Sequence, residues 1–270
     1  MNRGKTIRIR RLTIPGTDRF FFVPIDHGIT VGLLDGLKNI HRTISEIDKG
    51  GATGIIMHKG LINEYISIHP RNCHLILHLS GSTNYADDVN RKVLVASVEE
   101  ALKYGADGVS IHINIGSKYE HEMLKDLGYV SRECEFWGIP LIAMMYARGE
   151  KIKNPFATDT VSHVVRVAYE LGADIIKTVY TGTKETFREV IESVPIPIVI
   201  AGGEKIDDIK AFFKLVEDSI QAGAKGVSIG RNIFQTENIE LVTNLTREII
   251  VGNINAEEAY EMIRRKFKNS

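Results

Sequence analysis

Apolar residues fall in short runs along this chain, and four of the runs are entered in the same way. A helix-like stretch ends in Gly50-Gly51-Ala52, Gly105-Ala106, Gly172-Ala173 or Gly223-Ala224 and passes directly into an apolar segment. Glycine just past a helix supplies the left-handed conformation, and alanine lets the chain pack closely on the next strand. This echo is the chemistry of a helix-to-strand loop and marks a βα array. With the remaining apolar runs it predicts eight strands, over 21–25, 54–57, 75–79, 108–113, 141–145, 174–179, 196–201 and 226–229. Most intervals carry helical apolar spacing, as in 159–171 and 207–222, and Ser97-Val98-Glu99-Glu100 is a capping box that opens a helix to Tyr104. The interval 59–73 has little helix signal and is expected to be a short loop. The tail from Glu237 to Phe267 predicts two helices, one covering the outside of the fold and one free to reach a neighbouring subunit.

Eight alternating β and α units argue for a (β/α)8 TIM barrel, which typically takes ~250 residues. The 270 residues fit one such domain over 1–270, with an N-terminal arm (1–19) and extra C-terminal helices (237–270). An open doubly wound sheet is the alternative, but no Gly-x-Gly-x-x-Gly turn follows the first strand. Lys plus Arg and Asp plus Glu both number 34, so no net field recruits nucleic acid or an acidic membrane. No apolar run approaches the about 20 residues of a membrane span. The basic cluster Arg3, Lys5, Arg8, Arg10, Arg11 has no signal-like segment after it and is expected to be a solvated arm or a subunit contact. Cys73 and Cys134 are isolated in sequence, which suits a reducing, cytoplasmic setting.

In such a barrel the chemistry gathers at the carboxyl ends of the strands. Read in order, those ends are Asp26-His27-Gly28, His58-Lys59-Gly60, His78-Leu79-Ser80-Gly81, His112-Ile113-Asn114, Tyr146-Ala147-Arg148-Gly149, Lys177-Thr178-Val179-Tyr180, Ala201-Gly202-Gly203 and Gly230-Arg231-Asn232. Lys177 lies in an otherwise apolar strand. A desolvated amine loses proton affinity, and a free amine there can attack a ketone to form a Schiff base. Snorkelling to solvent or pairing with a buried carboxylate is the structural alternative. Gly202, Gly203, Gly230 and Arg231 follow the last two strands, where this fold binds phosphate. Arg148 is a second candidate cation for a phosphate or carboxylate, with a surface ion pair as the other reading. Tyr146 is placed to exchange a proton, or to be a core tyrosine. Asp26 is placed to shuttle a proton or hold the lysine's charge, or to cap its loop. His58, His78 and His112 invite a metal site, ranked below the Schiff base, and His112 could instead hold a substrate hydroxyl.

In order from about residue 20 to 265, these motifs resemble the archaeal-type class I aldolase family. The resemblance implies that Lys177 forms the Schiff base, Tyr146 is the acid/base and Asp26 assists proton transfer. It implies that Gly202, Gly203, Gly230 and Arg231 cradle a sugar phosphate, with Arg148, His112 and His27 as further substrate contacts. Met144, where the bisphosphate aldolases of the family carry tryptophan, points to the branch that makes 2-amino-3,7-dideoxy-D-threo-hept-6-ulosonate on a route to aromatic amino acids. That branch joins a three-carbon unit from a ketose phosphate to aspartate semialdehyde. The alternatives are a dihydroxyacetone-phosphate-dependent aldolase with the same acceptor, a fructose-1,6-bisphosphate aldolase, or a non-catalytic sugar-phosphate-binding barrel. Neither metal nor other cofactor is expected, because the imine supplies the electron sink. Relatives form rings, so a homo-oligomer of five or ten subunits is expected.

Overall fold

The computed structural model of this chain describes residues 2–268. Eight strands form the ring: β1 (Phe20–Pro24), β2 (Gly54–Met57), β3 (His74–His78), β4 (Gly108–Ile115), β5 (Leu141–Ala147), β6 (Ile175–Thr178), β7 (Ile198–Ala201) and β8 (Gly226–Ser228). Every neighbouring pair is parallel, and β1 pairs with both β2 and β8, so the sheet closes on itself. This is the expected (β/α)8 barrel. Strand ends differ from expectation by a residue or two, as hydrogen-bonded boundaries usually do.

The pleat sorts side chains into two apolar layers. Phe20, Phe22, Ile56, Ile76, Ile142, Met144, Tyr146, Ile175 and Val199 fill the barrel interior. The residues alternating with them, among them Phe21, Val23, Ile55, Leu77 and Ile176, pack outward against the helices. Lys177 follows Ile175 by two, so the same alternation turns it inward. The expected capping box is present, with Ser97 and Glu100 each satisfying the other's backbone amide.

The N-terminal segment is not a solvated arm. A helix, Arg3–Leu12, runs beneath the barrel and buries Leu12 against the interior layer. Its bases find carboxylates at the amino ends of the strands: Arg11 lies 3.0 Å from Asp107 and Lys5 lies 3.0 Å from Asp174. Both acids belong to the Gly-Ala-Asp repeats, so the echo that marks each strand start also supplies the helix's counter-charges. The interval after β2 also departs from expectation. A single 3-10 turn (Lys59–Leu61) leads into a helix, Ile62–Ile68, that buries Ile62 and is tied down by Tyr65, whose hydroxyl donates to the Cys73 carbonyl at 2.8 Å. Two turns without an N-cap side chain leave little periodic signal.

The tail forms helices Ile239–Val251 and Ala256–Lys268, as expected in number. The second packs on helix Ile209–Gln221 of the same chain, through buried Ala256, Ala259 and Ile263 and a Lys210–Glu257 ion pair of 2.6 Å, rather than standing free for a neighbour. A short hairpin, Ser80–Gly81 against Val93–Leu94, rises after β3 and was not expected. Among the described residues no helix is long and apolar enough to cross a membrane. Cys73 and Cys134 are buried and free.

Candidate active site

At the carboxyl ends of the strands opens a cavity of about 440 Å³. It is lined by Asp26, His27, His112, Tyr146, Arg148, Lys177, Gly202, Gly203, Gly230 and Arg231, so the structure brings all the sequence-predicted site residues to one mouth.

Lys177 is 7 % exposed, and among the described residues no hydrogen bond or ion pair holds its Nζ. Burial drives its pKa down to about 8, assisted by Arg148 and Arg231 and opposed by Asp26. The two bland readings of a strand-end lysine, snorkelling or a paired carboxylate, therefore do not describe it. The β5–β6 register sets Met144 opposite Lys177, and Tyr146 lies two residues further along the same inward face. Burial lifts the Tyr146 phenol above its ordinary range, which keeps its proton on at neutral pH. Its ring meets that of His112 at a 55° tilt with 4.9 Å between centroids, and the Arg148 guanidinium lies 4.7 Å from its centroid.

Among the described residues no backbone amide donates to the Asp26 carboxylate, so it caps no loop there. Its oxygens face His27 Nδ1 at 3.4 Å and His78 Nε2 at 3.7 Å. Burial pushes the carboxyl up, but the facing His78, His27 and Lys177 outweigh it, so Asp26 is ionised. Burial lowers His78 to about 3, so that ring is neutral, and its Nδ1 sits 2.8 Å from Ser110 Oγ. His112 Nε2 lies 2.9 Å from Asn114 Oδ1. Of the three histidines considered as metal ligands, His78 and His112 thus turn a ring nitrogen to another partner, whereas His58 Nε2 is buried without a hydrogen-bond partner among the described residues. Among the described residues no three His, Cys, Asp or Glu side chains converge as a metal-binding group.

The glycines of the last two strand ends have distinct physical reasons. Gly203 holds φ +66, and a Cβ at Gly230 would stand 2.4 Å from the Pro24 carbonyl oxygen. Asn232 laces the two loops, donating to the carbonyls of Gly202 (3.0 Å) and Glu204 (3.1 Å) and accepting from the Ile206 amide (2.6 Å). Arg231 reaches across to the Gly203 carbonyl at 2.8 Å. Among the described residues the amides of Gly202, Gly203, Gly230 and Arg231 donate to no protein acceptor, so they remain for an anion.

Sequence reasoning missed Lys92. It projects from the second arm of the hairpin into the same cavity, is 7 % exposed, and is lowered to about 8 by burial and then by Arg148. Its only sequence signal is a lysine before the apolar pair Val93-Leu94, too short to show a period.

A closed parallel barrel whose carboxyl mouth gathers a desolvated amine, a protonated phenol and unpaired glycine amides is an enzyme of the carbonyl-condensing kind. Comparison with known proteins agrees. The chain belongs to the DeoC/LacD family of aldolases, whose model matches residues 20–236. It is 41% identical over 232 residues to the 2-amino-4,5-dihydroxy-6-oxo-7-(phosphonooxy)heptanoate synthase of Streptomyces griseus, covering 86% of this chain and 85% of that one. It is 41% identical over 258 residues to the 2-amino-3,7-dideoxy-D-threo-hept-6-ulosonate synthase 1 of Archaeoglobus fulgidus, covering 96% and 95%. A solved structure described as the Schiff-base-forming fructose-1,6-bisphosphate aldolase superposes with a TM-score of 0.84 at 29% identity, covering 91% of this chain and 99% of that one.

Proposed function

We propose that this aldolase is of class I and joins a three-carbon ketone unit to aspartate semialdehyde through an imine on Lys177. The observation that carries the proposal is an amine buried in the barrel mouth, with no hydrogen-bond or ion-pair partner among the described residues, beside a protonated phenol. Lys177 Nζ adds to the donor ketone and water leaves. In the transaldol exchange the resulting iminium draws in the electrons of the C–C bond next to its adjacent carbon. That bond breaks as Tyr146 takes the hydroxyl proton and the phosphate-bearing fragment leaves as an aldehyde. With dihydroxyacetone phosphate the adjacent carbon instead loses a proton, and in either case the enamine so formed attacks the acceptor aldehyde. Tyr146 gives its proton to the new alkoxide or removes it in the reverse direction, and Asp26 balances the charge on the nitrogen. Water then releases the product and restores the amine. Gly202, Gly203, Gly230 and Arg231 hold the donor's phosphate, so that binding contributes orientation.

Both synthase relatives name products with a carboxylate at C1, an amine at C2 and a ketone at C6. In each, cleaving the C4–C5 bond leaves the same acceptor half, aspartate semialdehyde. The donor halves differ at C7, phosphorylated in one and deoxy in the other. The deoxy product, in which a ketose phosphate donates the three-carbon unit by transaldol exchange, is the reading adopted here, on the strength of Met144 and the longer match. Incubation with aspartate semialdehyde and either dihydroxyacetone phosphate or a 6-deoxy-5-ketohexose phosphate, with mass analysis of the product, decides between them.

The imine has its own test. Borohydride with the donor should leave a reduced adduct on the peptide bearing Lys177. Tyr146→Phe should still be labelled but turn over roughly 10²–10⁴-fold more slowly. An adduct on another lysine, or none, would end this mechanism. Lys59, the other lysine at a strand end, is paired with Glu100 at 2.8 Å. We also retain a homo-oligomeric assembly in a reducing cytoplasm as part of this reading, with light scattering as the measure of subunit number.

A further inference from the structure

The mouth has two poles. In the closed ring β8 and β4 lie on opposite sides, with β6 and its Lys177 between β7 and β5. The glycine amides and Arg231 occupy the β7–β8 side. Across from them, Lys92 and Arg148 line the cavity from the β3 hairpin and the end of β5.

Among the described residues neither of these cations forms an ion pair. Hairpin pairing of Gly81 with Val93 brings Ser82 beside Lys92, whose Nζ donates to Ser82 Oγ; that hydroxyl in turn donates to the Val89 carbonyl at 2.8 Å. Among the described residues no carboxylate forms an ion pair with Lys92, and Arg148 is engaged only over the Tyr146 ring. A buried ammonium is costly unless it is paired, and a hydroxyl alone needs no lysine. Arg148 also acts on Lys92 as a like charge, which Asp26 and Asp88 offset only in part. An ammonium has three donors, of which Ser82 takes one, and a guanidinium can meet an oxyanion with two parallel bonds.

We propose that Lys92 and Arg148 form a second anion subsite, which holds the far, anionic end of the acceptor aldehyde across the mouth from the phosphate cradle. This rests on the aldol reading above. The occupant is a carboxylate, because the C1 carboxylate is the anion that both synthase relatives' products carry on the acceptor half. With dihydroxyacetone phosphate as donor, its phosphate at one pole and the acceptor carboxylate at the other would align the two reacting carbons beside Lys177 and Tyr146. In the transaldol exchange the phosphate leaves with the released fragment, and the acceptor carboxylate sets the alignment by itself.

The test compares aspartate semialdehyde, glyceraldehyde 3-phosphate and uncharged butanal as acceptors. Lys92→Gln should lower the preference for aspartate semialdehyde over butanal, as a ratio of kcat/KM, by about tenfold or more, mostly through KM. Lys92→Arg should restore most of it. An unchanged ratio in Lys92→Gln overturns the subsite, and a fall confined to glyceraldehyde 3-phosphate overturns the carboxylate in favour of a distal phosphate. Calorimetric titration with L-2-aminobutyrate, an unreactive acceptor mimic, reads the subsite without chemistry. Binding at least tenfold weaker in Lys92→Gln supports it, and equal binding overturns it. If borohydride captures no donor on Lys177 of the unmodified protein, the aldol mechanism fails, while the titration still decides whether Lys92 binds a carboxylate.

Discussion

Lys177 occupies a position that opposes folding. Its pKa falls from 10.5 to about 8 because the barrel strips water from the ammonium. Below pH 8 the folded chain must hold that desolvated charge, whereas the unfolded chain holds it in water. The penalty is therefore full below about pH 8 and fades as pH rises towards 10.5. A shift of this size corresponds to about 3 kcal/mol. Lys177→Met should thus gain up to about 3 kcal/mol of stability at pH 7 in urea unfolding, and much less at pH 10, while losing all imine capture. A variant less stable than the parent at pH 7 would contradict this account of the site. In the parent, the initial rate of imine capture should climb as pH passes through about 8 and the amine is freed. Lys177, Tyr146 and Asp26 were legible in the sequence because each interrupts or ends an apolar run. Lys92 was not, because what makes it unusual is burial by other segments rather than its own neighbours.

The strands place the site, and the elements beneath it hold the ring shut. Helix Arg3–Leu12 seals the end of the barrel opposite the cavity, with Leu12 fully buried among Phe20 and Phe22. Leu12→Ala should cost about 2–5 kcal/mol by leaving a void in a layer that cannot collapse, with kcat and KM unchanged. Urea unfolding and steady-state kinetics on one preparation check both halves, and a large loss of turnover would show that the plug also shapes the mouth. Strand existence was readable from the Gly-Ala echo and the apolar runs. The docking of this helix was not, because its bases find Asp107 and Asp174 far along the chain. Helix Ile62–Ile68 was missed for a different reason: it is short, without an N-cap side chain, and owes its order to packing and the Tyr65–Cys73 tether.

Across the whole molecule the charges cancel, 34 against 34, yet the cavity does not share that balance. Lys92, Arg148, Lys177 and Arg231 line it against Asp26 and Glu204, so a neutral protein presents a positive mouth to an anionic donor. The KM for a phosphorylated donor should rise several-fold between about 50 and 500 mM salt, as the screening length shrinks from above to below about 10 Å, with kcat nearly constant. A salt-independent KM would mean that the mouth's field plays no part in capture. Sequence by itself determined the eight-fold βα order, the strand ends and the residues standing there, because alternation and loop glycines are local and repeat along the chain. Tertiary structure alone decided that Lys177 goes unpaired among the described residues, that Lys92 and Arg148 line one cavity, and that the basic N-terminus becomes a plug. Those outcomes depend on ring closure, which brings distant segments together and removes their water, and no local pattern of residues encodes that desolvation.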